Sequence, residues 1–121
     1  QGGLLILETP SIDGWDAKLF KKRYWGGWHT PRHWQIFSEA TLTQALEQQG
    51  FVVTRVDYML NPYAWLHSLR FYLLEKYNRT RFSRFFEVNF FPSLLVASGL
   101  DVIQRLVRRK TSNIRIFATK I

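Results

Sequence analysis

The sequence predicts an α/β chain, and three stretches carry that expectation. Gly2-Gly3 runs directly into Leu4-Leu5-Ile6-Leu7, the pattern of a turn feeding a strand that is apolar on both faces. Ser38 to Gly50 carries helix signals at both ends and is followed at once by Phe51-Val52-Val53. Towards the far end, Ile114, Ile116 and Ala118 alternate with Arg115, Phe117 and Thr119, as a strand with one buried face requires.

In chain order, the first strand covers Leu4 to Glu8 and is stopped by Pro10, which cannot donate to a ladder. Strands buried on both faces belong to parallel sheets covered by helices, and such sheets need several strands. Only one precedes the first long helix, so the expectation is a chain that opens in mid-sheet. Glu8 falls at the carboxyl end of this strand, where open α/β sheets bind ligands. It is either a substrate contact or a solvated strand-end carboxylate. Asp13-Gly14 then marks a turn, and Asp16 to Phe20 suits a short helix. Lys18, Lys21, Lys22 and Arg23 form a basic knot, read as a solvated face or an anion contact.

The loop that follows holds the candidate chemistry. His29, Arg32 and His33 lie close together, bracketed by Trp25, Trp28 and Trp34 and stiffened by Pro31. Imidazole is the side chain most easily tuned for proton transfer near neutral pH. Arginine offers a fixed fork to a carboxylate or phosphate. His29 and His33 are therefore the candidate catalytic residues, with Arg32 as anion clamp and Trp28 as pocket wall. The alternative is that Arg32 or His33 ties the loop to backbone carbonyls near the next helix. Zinc is excluded, because Pro31 opposes a helical His pair and no third ligand lies nearby.

Ser38 is the N-cap of that helix, with Thr41 in place of the Glu or Gln of a full capping box. Leu42, Ala45 and Leu46 share a face, and Gly50 supplies the left-handed stop. Phe51 to Leu60 is the second strand. Asn61-Pro62 then starts a helix with Leu66, Leu69, Leu73 and Tyr77 along one face, and His67, off that stripe, is read as a surface residue.

Asn78 to Phe86 interleaves arginines with aromatics, a pattern able to bind single-stranded nucleic acid, although so short a stretch argues against nucleic acid as a partner. Val88 to Leu106 is apolar but interrupted by Pro92, Gly99 and Asp101, and basic residues follow at Arg105, Arg108, Arg109 and Lys110. Two readings remain for 88–110: peripheral contact with a membrane, or packing on the helix before it or on a partner subunit.

Composition narrows the classes. Apolar residues make up 46% of the chain, enough to fill the core of one domain or part of one, and the net charge of +8 favours an anionic partner. With no cysteine, neither a disulfide frame nor a thiolate metal site can form. No stretch is apolar for long enough to span a bilayer, and the first residues lack the basic region and cleavage site of a signal peptide.

Three blocks in this order carry a resemblance: G-G-L-L-I-L-E-T-P; R-H-W-Q-I-F-S-E-A-T-L with a helix ending Q-Q-G-F-V-V; and N-I-R-I-F-A-T-K. Together they cover about half the chain and resemble the C-terminal half of a class I S-adenosylmethionine-dependent methyltransferase. The resemblance implies the C-terminal part of a Rossmann-like sheet spanning residues 1–121, closed by antiparallel pairing of the last two strands. The segment at about 61–112 would be a helical insertion supplying a lid or a landing surface. Gln1 stands where the family usually has Pro, and the family's Gly-rich loop and acidic strand end precede the first block. No cofactor-binding residue is therefore carried over, and S-adenosylmethionine is expected on a missing N-terminal half. The parent would methylate a small-molecule or lipid-like acceptor in the cytoplasm, and the fragment alone would be inactive. The rival expectation is a basic module without chemistry that binds nucleic acid or an anionic membrane. An unpaired edge on the first strand would also favour a homodimer.

Overall fold

Ile114, Ile116 and Ala118 are completely buried, and the strand that bears them is the middle one of three. The computed structural model describes residues 2–20, 23–28, 32–78, 80–87 and 89–121. Its sheet comprises β1 (Leu4–Pro10), β2 (Phe51–Tyr58) and β3 (Asn113–Lys120), in the order β1-β3-β2. β3 is antiparallel to both neighbours, pairing Leu7 with Ile116 on one side and Val56 with Ile116 on the other. β1 and β2 consequently run in the same direction without touching. The chain is mixed α/β, and the five α-helices among the described residues are α1 (Trp15–Phe20), α2 (Glu39–Gln48), α3 (Pro62–Tyr77), α4 (Thr80–Ser83) and α5 (Phe91–Arg108).

One face of the sheet forms the first core. Leu5 and Leu7 of β1, Ile114, Ile116 and Ala118 of β3, and Val53 and Val56 of β2 meet Leu42 and Leu46 of α2. Each fully buried Ile contributes about 1.5–3 kcal/mol relative to exposure. α2 begins at Ser38, whose Oγ accepts from the Thr41 N–H, while Thr41 Oγ1 accepts from the Ser38 N–H at 2.9 Å. The box expected to be half formed is thus complete, because a threonine hydroxyl reaches as a glutamate would. Gly50 ends the helix at φ +74°, as its position predicted.

The opposite face corrects two expectations. The apolar run predicts a β1 buried on both faces, yet Leu4 is 65% and Ile6 55% exposed. The pairings are antiparallel, where the apolar run implied a parallel sheet. Both differences have one cause: β3 returns between the two outer strands, and α2 covers only one side. Continuous apolar runs mark a strand without revealing how many of its faces are covered.

A second core lies among the helices. Phe20 of α1, Trp25, Trp65 and Leu66 of α3, and Ala97 of α5 are buried together. The apolar residues of α3 do not form one clean stripe, for Tyr63 and Phe71 point outwards while Leu66 is buried. Asn61 provides no side-chain cap; its backbone N–H instead donates to Asp101 of α5.

α5 turns its polar side inwards. Its buried residues are Ser93, Ala97, Asp101 and Gln104, spaced four, four and three apart along one face. The carboxylate of Asp101 accepts from the Asn61 N–H and from Gln104 Nε2, and Gln104 Oε1 accepts from the Trp15 N–H at 2.8 Å. Hence α5 is held by a satisfied polar network, and its apolar side faces solvent. No helix among the described residues is long and apolar enough to cross a membrane.

Candidate functional site

A cleft of about 160 Å³ opens at the carboxyl end of β1 and the start of α3. Pro10, Gly26, Gly27, Asn61, Tyr63 and Ala64 form its walls, and Arg32, His33 and His67 line it as well. Loop and helix meet there because residue 26 is a glycine. A Cβ on Gly26 would stand 2.6 Å from His67 Cβ and 2.9 Å from the Ala64 carbonyl oxygen. The bare backbone can instead dock on α3, where the Gly26 N–H donates to Ser68 Oγ at 2.8 Å. Ser68 Oγ in turn donates to the Ala64 carbonyl at 2.6 Å, so a single hydroxyl bridges loop and helix.

Trp25 anchors the other side of this turn. Its ring is buried, and Nε1 donates to Asp16 Oδ2 at 2.9 Å. Asp16 also accepts from Ser112 Oγ, which fastens α1 to the start of β3. Burial pushes the Asp16 carboxyl above its ordinary value, with the Ser112 and Trp25 hydrogen bonds opposing the shift. Asp101 is likewise raised by burial, against the hydrogen bonds it accepts from Asn61 and Gln104.

Of the sequence-predicted site residues, Arg32 and His33 come together in the cleft. Trp28 stands outside its lining and packs edge-on against Trp25 at 5.5 Å between ring centres. Glu8 is also absent from the lining. Its carboxylate accepts from Arg115 Nε and Nη2 at 3.0 and 2.7 Å and from Asn113 Nδ2 at 2.8 Å. The Arg115 and Asn113 hydrogen bonds hold its pKa below the usual carboxylate value. His29 lies outside the described residues, as do Pro31 and the two lysines Lys21 and Lys22 of the basic knot.

His67, read from sequence as a surface residue, is half-buried in the cleft and stacks on Phe71 at 6.1 Å. The signal that could have found it is the spacing of Tyr63 and His67, which puts both on one helix face. That face belongs to the cleft only because Gly26 lies against it.

A second polar cluster sits at the carboxyl ends of β1 and β2. Tyr58 Oη contacts Asp13 Oδ2 at 3.0 Å and Glu39 Oε2 at 2.9 Å, and its one proton can serve only one of them at a time. Lys110 Nζ supplies the compensating charge, 2.9 Å from Glu39 and 3.8 Å from Asp13. Burial, followed by the Glu39 hydrogen bond, pushes the Tyr58 hydroxyl far up, so it stays neutral. The Glu39 hydrogen bond raises Lys110. Asp13 Oδ2 also accepts from the Glu39 N–H at 2.8 Å, so the cluster fixes the first turn of α2 beside β2. Its members satisfy one another, and its role is structural.

Among the described residues no group of three His, Asp or Glu side chains could hold a metal ion. The cleft therefore offers one cationic fork and two imidazoles, a set suited to binding an anionic group and accepting a proton. No protein-family model, curated protein or solved structure matches the chain.

Proposed function

We propose that this chain is the acceptor-side part of an S-adenosylmethionine-dependent methyltransferase acting on a small-molecule or lipid-like nucleophile. The observation that carries this reading is the meeting of Arg32, His33 and His67 in one cleft at the carboxyl end of β1. The antiparallel pairing of the last two strands and the sequence resemblance support it. Arg32 holds an anionic group of the acceptor, and His33 or His67 takes the proton that the nucleophile sheds as its lone pair becomes available. Alignment of the acceptor atom supplies much of the remaining rate advantage.

The cleft, as its described residues line it, does not fit the methyl donor. A cleft of about 160 Å³ is smaller than the roughly 300–1,000 Å³ of pockets that enclose a whole ligand. Glu8, the strand-end carboxylate, is already engaged by Arg115 and Asn113. The cleft is therefore assigned to the acceptor and not to the donor.

The test is calorimetric titration of the full-length protein with S-adenosylmethionine, paired with transfer of a tritiated methyl group into organic-extractable and aqueous products. Donor binding together with transfer to either fraction is the expected result. A full-length protein that is folded yet binds no donor would refute the reading.

A further inference from the structure

Seen from solvent, α5 presents Leu95, Val96, Val102, Ile103, Leu106 and Val107, all exposed, with no charged residue among them. Its one acidic residue, Asp101, is buried on the opposite side and bound to Asn61 and Gln104. A helix whose apolar side faces out and whose polar side faces in is arranged for a surface that is itself apolar. At the N-terminal end the apolar surface continues into aromatic rings. Phe90 meets Phe85 edge-on at 5.3 Å, and Phe85 lies 6.3 Å from Phe82.

The charges around this face select the occupant. Arg105, Arg108 and Arg109 close the last turn of α5. Arg81 and Arg84 stand with Phe82 and Phe85 around a recess of about 410 Å³ at the other end. The nearby carboxylate of Glu87 is 3.6 Å from Arg70. Two copies of the chain meeting on this face would bring these arginines together with no carboxylate on the face to offset them. A surface that is apolar below and anionic at its boundary satisfies both features at once.

We propose that the outer side of α5, with the Phe82–Phe85–Phe90 cluster, is a docking surface for an anionic lipid bilayer. The helix lies in the plane of the interface, its aliphatic residues enter the acyl boundary, and the arginines at both ends meet phosphate-bearing headgroups. This does not rest on the reading of the cleft, which concerns another part of the molecule.

The test is co-sedimentation of the full-length protein with phosphatidylcholine vesicles, with and without about 30% phosphatidylserine. Three proteins are compared: wild type, the double variant L95E/L106E, and the triple variant R105Q/R108Q/R109Q. All replaced side chains are exposed, and urea unfolding checks that each variant is folded. Wild type should bind the anionic vesicles about a hundredfold or more tightly than the neutral ones. Each arginine near an anionic surface contributes about fivefold, so the triple variant should lose about a hundredfold on those vesicles. L95E/L106E should lose binding to both. Three results would overturn the proposal: wild type remaining in the supernatant with anionic vesicles, L95E/L106E binding as wild type does, or a dimer in analytical ultracentrifugation that L95E/L106E dissociates.

Discussion

Replacing Asp101 and Leu106 separately by alanine probes the two sides of one helix, and the structure ranks their costs in the reverse of the usual order. Asp101→Ala removes the acceptor for the half-buried Asn61 N–H and for the buried Gln104 Nε2. Leaving a buried donor unsatisfied costs about 1–3 kcal/mol each. Relief from burying a carboxylate near Asp16 returns part of this, so the net loss is about 2–4 kcal/mol. Leu106 is 76% exposed, so only about a quarter of the roughly 1.5–3 kcal/mol for full leucine burial is at stake, or about 0.5 kcal/mol. The assay is urea unfolding at constant slope. With a slope of about 1.5 kcal/mol/M, Asp101→Ala should lower the midpoint by about 1.3–2.7 M and Leu106→Ala by about 0.3 M. Equal shifts, or a larger one for Leu106→Ala, would refute the inverted packing of α5.

Other outcomes follow from the loop and the titrating groups. Gly26→Ala places a methyl against the Ala64 carbonyl and His67 Cβ, which cannot both withdraw. It should cost about 1–3 kcal/mol in urea unfolding, and a change in the His67 ring resonances should report the displaced wall. Burial raises Asp16 and Asp101, so the stability they contribute is full below their ordinary value of 3.8 and is lost as pH rises through the folded values. Asp16→Asn should therefore flatten the fall of the urea midpoint as pH rises above 3.8, and an unchanged slope would count against it. Glu8 has the opposite sign: its contribution is present above 4.5 and disappears as pH falls through its lowered folded value. As a solvent-exposed pair, Glu8–Arg115 should be worth no more than about 1 kcal/mol, read as the neutral-pH difference between wild type and Glu8→Gln.

Local signals in the sequence located the elements whose stability is itself local. Ser38 and Gly50 bracket α2 because capping and left-handed φ are properties of single residues. The alternation from Ile114 to Thr119 marked β3 and the face it buries, because the period of two survives in any sheet that is covered on one side. Long-range partners were less legible. The period of α5 reveals an apolar side but not its direction, which depends on Asn61 and Trp15, distant residues that complete the Asp101–Gln104 network. Asp101 looked like an interruption of an apolar run, whereas it is the residue that holds the helix in place. In the cleft, Arg32 and His33 were visible as a cluster of basic and titratable side chains. His67 was hidden because its inclusion depends on Gly26 docking across a loop that sequence alone does not fold.

Steady-state methyl transfer by cleft variants of the full-length protein tests most directly the proposal that the cleft at the end of β1 handles the methyl acceptor. Arg32→Ala should raise the acceptor KM with kcat little changed. His33→Ala or His67→Ala, whichever is the proton acceptor, should lower kcat by about 100-fold or more while donor affinity stays at the wild-type value. Wild-type kcat and acceptor KM in all three variants would contradict the claim.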